Sequence, residues 1–172
     1  MSDSEATVLV VDDEERIVEA HRRWLDDEYS VLTANGGEEA LATIDETVDI
    51  VMLDRRMPQL SGMEVLSEIR NRGLDCVVIV VSSAKPEIEI IKEQFDDYLV
   101  KPADKDTLIE LIEDWLEVLG HEDQREYYVL DSKRELLETY AHEHQLTENE
   151  MYADITDRLE SLQDSVTIPD SN

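Results

Sequence analysis

The stretch Val48-Asp49-Ile50-Val51-Met52-Leu53-Asp54-Arg55-Arg56-Met57-Pro58 decides how the chain is read. Val48 and the run Ile50 to Leu53 are apolar without alternation, the pattern of a short strand covered on both faces. The run ends on a carboxylate, and Pro58 cannot join a ladder. Asp54 therefore stands where a buried strand opens into a loop. In an open parallel sheet, ligands collect at the carboxyl ends of the strands. A lone Asp at such a place is also an ordinary turn former, so the rest of the chain has to choose.

Outward from this stretch the pattern repeats. Thr7 to Val11 ends on Asp12-Asp13, and Tyr29 to Ala34 runs into the turn Asn35-Gly36-Gly37. Cys76 to Val81 ends on Ser82-Ser83-Ala84, and Tyr98-Leu99-Val100 ends on Lys101-Pro102. Helical spacing fills the intervals: Glu14 to about Asp26, Glu38 to Asp45, Ser61-Gly62 to Asn71-Arg72-Gly73, Glu87 to Gln94, and Asp104 to Leu119. Five strands alternating with five helices predict an α/β fold, a doubly wound five-stranded parallel sheet. All strands then point the same way, so Asp12, Asp13, Asp54, Ser83 and Lys101 share one edge. Clustered carboxylates raise one another's pKa unless a cation sits among them. A few hard oxygen ligands suit Mg²⁺, and an ammonium and a hydroxyl opposite complete a place to hold a phosphoryl group on Asp54.

These residues resemble the receiver domain of two-component response regulators. The resemblance covers about Ala6 to Leu119. It rests on Val-Val-Asp-Asp at 10–13, Leu-Asp-Arg-Arg-Met-Pro at 53–58 with Gly62 following, Ser83-Ala84, and Tyr-Leu-Val-Lys-Pro at 98–102. It implies a flavodoxin-like strand order 2-1-3-4-5, with Asp54 as the phosphoacceptor for a sensor histidine kinase. Mg²⁺ would be held by Asp12, Asp13, Asp54 and the backbone carbonyl of Arg56. Lys101 and Ser83 would stabilise the phosphoryl group, and Pro102 would shape the loop that presents the lysine. Ser83 and Tyr98 would move together and alter the face formed by the fourth helix, fifth strand and fifth helix. Arg56 and Lys85 flank the site, either tuning the phosphate's lifetime or standing as solvated charges.

Two features depart from the family pattern. The interval from Ser83 to Lys101 is short, which trims the fourth helix by about a turn. Gln94-Phe95 also stand before Asp96-Asp97, where small residues and a glycine are more usual. Both put the family's output and dimer face in question. An enzymatic alternative, a phosphotransferase of the haloacid dehalogenase kind, also uses an Asp at a strand end. It wants a second Asp at the place held by Arg56. A module without phosphorylation would have no use for Asp13, Asp54, Ser83 and Lys101 together.

Residues 121–163 carry no strand signal. Arg125 to about His144 reads as one helix, and the capping-box pattern Thr147-Glu148-Asn149-Glu150 opens a second. In the second, Tyr152, Ile155, Leu159, Leu162 and Val166 recur with heptad-like spacing. The expectation is an antiparallel helical hairpin behind a receiver at 1–120, with 168–172 as a frayed tail. This segment resembles the HalX domain of halophilic archaea, through Tyr-Tyr-Val-Leu-Asp-Ser-Lys-Arg-Glu-Leu-Leu-Glu at 127–138 and the later Tyr152 to Leu162 pattern. Such domains are linked to DNA by association. Here 14 acidic residues stand against Arg125, Lys133, Arg134 and Arg158, which disfavours phosphate contacts. A helical interaction or homodimerisation module fits better, because the heptad stripe needs a partner surface. His142 and His144, two apart on a helix, point to different faces and read as solvated rather than as a metal pair.

Composition bounds the rest. A formal net charge of −29 over 172 residues repels nucleic acid and anionic membranes and keeps a protein dispersed in strong salt. With only five lysines, this points to a salt-adapted source. The single cysteine, Cys76, opens an apolar run and reads as a small buried hydrophobe. The opening residues Met1 to Glu5 are polar and acidic, and the apolar runs are strand-length, so the expectation is a cytoplasmic protein without a membrane span.

Overall fold

The computed structural model describes residues 5–166; the tail expected at 168–172 lies outside them. The first ten elements are β1 (Thr7–Val11), α1 (Glu15–Leu25), β2 (Ser30–Ala34), α2 (Gly37–Thr43), β3 (Ile50–Leu53), α3 (Gly62–Asn71), β4 (Val77–Ser82), α4 (Ile88–Ile91), β5 (Asp97–Val100) and α5 (Lys105–Val118). The strands form one parallel sheet, as the sequence pattern predicts, in the order β2-β1-β3-β4-β5 that the family resemblance implies. Alternate residues of each strand face opposite sides. Val8, Val10, Ile50, Met52, Val77 and Ile79 meet Leu25 of α1 and Leu108, Ile112 and Trp115 of α5. Leu9, Val11, Val51, Leu53, Val78 and Val80 meet Ala40 of α2 and Val65, Leu66 and Ile69 of α3. With helices on both faces, β3 and β4 are buried at every position, which is why their sequences do not alternate.

Local chemistry sets the start of α3. The Glu64 N–H donates to Ser61 Oγ at 3.3 Å, and the Ser61 N–H donates to Glu64 Oε2 at 2.8 Å. This reciprocal pair satisfies two of the helix's orphan donors just past the loop that follows Asp54. The helix α4 is shorter than the expected Glu87 to Gln94, a single turn from Ile88 to Ile91.

The C-terminal part corrects the sequence reading in detail. Three helices follow: α6 (Glu122–Tyr140), α7 (Glu143–Thr147) and α8 (Glu150–Leu162). The first ends at Tyr140, because Ala141 is extended, so the chain breaks before His144. The second long helix is capped by Asn149, whose Oδ1 accepts from the Tyr152 N–H at 3.1 Å; Thr147 instead donates to the His144 carbonyl. Because His142 precedes α7, His142 and His144 do not diverge as residues two apart on one helix would. Their exposed rings stack at 5.8 Å with a 9° interplanar angle.

The helices α6 and α8 run antiparallel: Arg158 pairs with Glu126 near one end, and the Tyr152 hydroxyl donates to Glu138 at the other. Ile155, Leu159, Leu162 and Val166 are all buried within this one chain. The stripe that called for a partner surface thus finds cover intramolecularly. Leu136, Leu137, Ile155 and Leu159 join the same apolar cluster as α2, α3 and their face of the sheet. No helix among the described residues is long and apolar enough to cross a membrane.

Candidate functional site

The sheet's ladder runs one residue past several strands and so fixes the residues that follow. The Asp12 N–H donates to the Ala34 carbonyl (3.2 Å), that of Asp54 to Val11 (2.9 Å) and that of Lys101 to Ser82 (2.8 Å). The backbones of these three residues are thereby held at one edge, and their side chains converge. Carboxylate oxygens of Asp12, Asp13 and Asp54 lie within 4.8 Å of one another. Lys101 Nζ donates to Asp12 Oδ2 at 2.7 Å and stands 3.6 Å from Asp54 Oδ1. Asp12 Oδ1 accepts the Glu14 N–H, which fixes its rotamer at the mouth of α1.

Electrostatics follow from this crowding. Burial, then the charge of Asp12, pushes the Asp54 pKa up to about 6, against a weaker opposing pull from Lys101. Burial pulls the Lys101 ammonium down, but the hydrogen bond and charge of Asp12 and the charge of Asp54 outweigh it and leave Lys101 above its ordinary value. His21 of α1 is buried; burial, and then Lys101, holds it below the usual imidazole value. The donor set is three carboxylates with one cation among them. That deficit of positive charge, in a cluster of hard oxygens, fits a divalent cation such as Mg²⁺.

Of the other residues singled out from the sequence, Ser83 is exposed just past β4, and Arg56 and Lys85 are exposed at the rim. Tyr98 is buried, with its hydroxyl donating to the Ala84 carbonyl at 2.5 Å. Two further residues are not singled out by the sequence pattern. Arg55, rather than Arg56, turns inward: its Nη2 pairs with Glu87 of the α4 N-cap at 2.7 Å and it lies beside Tyr98. Its Nη1 is buried with no partner among the described residues. The only sequence signal for this was its place next to Asp54. His21 carried none, since its helix-face position looks like any core residue.

Gly62 has a steric reason. A Cβ there would meet the Asp54 carbonyl oxygen at 2.2 Å and the Arg55 Cα at 2.9 Å. Its N–H also donates to the Arg55 carbonyl at 2.9 Å, closing the loop on itself. Gly62→Ala therefore has to displace backbone at the site. We expect a loss of about 2 kcal/mol or more in urea unfolding, with weaker Mg²⁺ binding. Unchanged stability would show that the loop yields freely.

Comparison with known proteins gives consistent results. A family model described as "Response regulator receiver domain" matches residues 8–113, and one described as "HalX domain" matches 119–167. A Haloferax volcanii protein named "Putative transcriptional regulator" is 45% identical over 161 residues, covering 92% of this chain and 28% of its own length. The hydrogenase transcriptional regulatory protein HoxA of Cupriavidus necator is 41% identical over 125 residues, covering 70% of this chain and 26% of its own. The chain thus spans about a quarter of these relatives. Among solved structures, a CheY-like receiver domain protein from Methanospirillum hungatei superposes with a TM-score of 0.64 at 25% identity, over 69% of this chain and 99% of that one. The response regulator TrrA from Thermotoga maritima, in complex with Mg²⁺ and BeF, gives a TM-score of 0.57 at 35% identity, over 64% and 98%.

Proposed function

The chain belongs to the family of response regulator receiver domains, followed by a HalX domain, and from that premise we propose that it is a phospho-accepting switch rather than an enzyme acting on a separate substrate. The observation that carries the reading is the convergence of Asp12, Asp13 and Asp54 within 4.8 Å, with Lys101 at 3.6 Å from Asp54. In the proposed reaction, an oxygen of ionised Asp54 attacks the phosphorus of a sensor histidine kinase's phosphohistidine. The O–P bond forms, the N–P bond breaks, and the released imidazole takes up a proton. Lys101 meets the charge on the phosphoryl oxygens, and Ser83, free at the end of β4, donates its hydroxyl to one of them. Asp12, Asp13, Asp54 and the Arg56 carbonyl are the groups that would hold Mg²⁺. When bound, the ion supplies positive charge against the carboxylates and the incoming phosphoryl group. Arg56 and Lys85, exposed at the rim, stand where they bear on the approach of hydrolytic water. The switch pair is Ser83 with Tyr98.

The readout falls to the helices behind Gly120, which we take as the boundary between the two parts. The relatives' names point to transcription, but the charges here disfavour direct DNA contact. Arg125 is paired with Asp96 and Asp75, Arg134 with Asp131, and Arg158 with Glu126, while Lys133 donates to the Glu93 carbonyl. Each of the four hairpin cations is already engaged, and none is left to neutralise phosphates. A protein–protein output in the cytoplasm fits better.

Acetyl phosphate with Mg²⁺ should add one phosphoryl group to the wild type and none to Asp54→Asn, read by intact mass at high salt. Lys101→Ala should slow labelling by about 100-fold or more, as for loss of a charge-stabilising donor. Labelling of Asp54→Asn at the wild-type rate would remove the reading.

A further inference from the structure

Two oddities of the sequence meet at one place in the fold. The helix α4 is a single turn, and Phe95 stands in the loop before β5. The long helix α6 lies against this region, touching β5, α4 and α5, with α8 on its other side. Leu136 and Leu137 share an apolar cluster with Ile91, Phe95 and Tyr98. Polar contacts fix the register. Arg125 pairs with Asp96 and Asp75, Ser132 Oγ donates to Asp97 Oδ1, and Tyr128 packs edge-on against Trp115 of α5. Lys133 Nζ donates to the Glu93 carbonyl at 2.6 Å and sits 4.9 Å over the Phe95 ring. Residues 124–134 of α6 are all half-buried, as expected of a helix covered on more than one side.

The same contacts lead back to the candidate site. The Phe95 ring lies edge-on to Tyr98 at 5.8 Å, and the Tyr98 hydroxyl donates to the carbonyl of Ala84, next to Ser83. We propose that the surface formed by α4, β5 and α5 is an internal docking site whose occupant is this chain's own α6. The position of the Ser83–Ala84 loop would reach α6 through Tyr98, Phe95 and Lys133. This rests on the reading of Asp54 as the phosphoacceptor. A shift of Ser83 toward a group on Asp54 carries the Ala84 carbonyl with it. Tyr98, buried and bonded to that carbonyl, must follow or lose its acceptor, and its ring bears on Phe95. Lys133 then either keeps its place over the ring or leaves it. Because α6 also carries α8, a change at Lys133 moves the hairpin as a unit. Lacking a full α4, the β5 edge takes its cover from α6, so the hairpin is bound to the switching part of the receiver.

The test is amide hydrogen exchange on the full chain at high salt, with and without beryllofluoride and Mg²⁺, while ¹⁹F NMR reports beryllofluoride at Asp54. Two mild variants probe the relay: Phe95→Leu keeps apolar bulk without the ring, and Lys133→Met keeps the stem without the charge. In the wild type, exchange of α6 amides should change by roughly fivefold or more on activation. In either variant the α6 response should fall below about twofold while beryllofluoride still binds, the mark of lost coupling rather than lost binding. Bound beryllofluoride with unchanged α6 exchange, or equal responses in all three proteins, would overturn the α6 proposal and leave the phosphoacceptor intact. No bound beryllofluoride would overturn both. Activation that frees α6 and produces a dimer by sedimentation would put a second receiver on this surface and overturn the proposal as well.

Discussion

Asp54→Asn should make the metal-free protein more stable near neutral pH, by about 2–3 kcal/mol, even though it removes the proposed phosphoacceptor. The reason lies in where the carboxylate is held. Asp54 is 8% exposed, and burial followed by the Asp12 charge raises its pKa from 3.8 to about 6. A carboxyl group whose folded pKa is raised favours folding only in its neutral form. Its contribution is fully present below the unfolded pKa and is lost as pH rises through the folded one. A tenfold change in proton affinity corresponds to about 1.4 kcal/mol, so ionised Asp54 costs the folded state about 3 kcal/mol above about pH 7. Asparagine keeps the shape and discards the charge; the attraction to Lys101 is already contained in the net shift.

The measurement is urea unfolding of both proteins in a chelator at constant ionic strength, at about pH 7.5 and again at about pH 4.5. Taking the difference between the two proteins cancels the self-repulsion of a chain of net charge −29. The gap should be large at the higher pH and fall to about a third of that at the lower. Adding Mg²⁺ should then stabilise the wild type more than the variant, because a ligand that binds only the folded state adds stability in proportion to its affinity. A wild type as stable as Asp54→Asn at both pH values would mean that the carboxylates do not strain one another.

What the sequence showed and hid at this site has a physical pattern. Asp12, Asp13, Asp54 and Lys101 were legible because each lies within two residues of a strand end, and parallel strands bring such ends to one edge. The side that a loop residue faces is not fixed by strand periodicity, so Arg55 and Arg56 could not be told apart; only the fold turns Arg55 toward Tyr98 and Glu87. The break after Tyr140 was hidden because no glycine or proline marks it. Thr147 and Asn149 are both good capping residues, and only the packing of α8 decides for Asn149. Least legible in the sequence is the docking of α6. Its apolar face is blurred because the receiver and α8 cover it from different directions. The short α4 and Phe95 were visible as departures, but their compensation lies in residues 122–140, far along the chain.

The joint between the two parts should fail at one residue. Asp96→Ala is expected to cost about 3–5 kcal/mol, whereas Asp75→Ala, which removes the other acid paired with Arg125, should cost about 1 kcal/mol or less. Asp96 is 5% exposed and uses both oxygens. Its Oδ2 accepts from Arg70 Nη2 at 2.6 Å and from the Val78 N–H at 2.8 Å, while Oδ1 accepts from Arg125 Nε and Nη2 at 3.3 and 3.2 Å. One carboxylate thus satisfies an arginine of α3, an arginine of α6 and a buried backbone donor at the start of β4. Removing it leaves two guanidinium groups, with side chains 17% and 18% exposed, facing each other without the charge between them. Asp75 contacts the same Arg125 at 2.7 Å, but its side chain is 93% exposed, so water takes over when it is lost. Urea unfolding of the two variants separates the cases, since they break ion pairs to the same guanidinium in different dielectric surroundings. Asp96→Asn tests the charge alone: it retains one acceptor oxygen and should fall between the two. If Asp96→Ala proves no worse than Asp75→Ala, the attachment of α6 rests on its apolar contacts at Leu136 and Leu137, and the ionic cluster only sets its register.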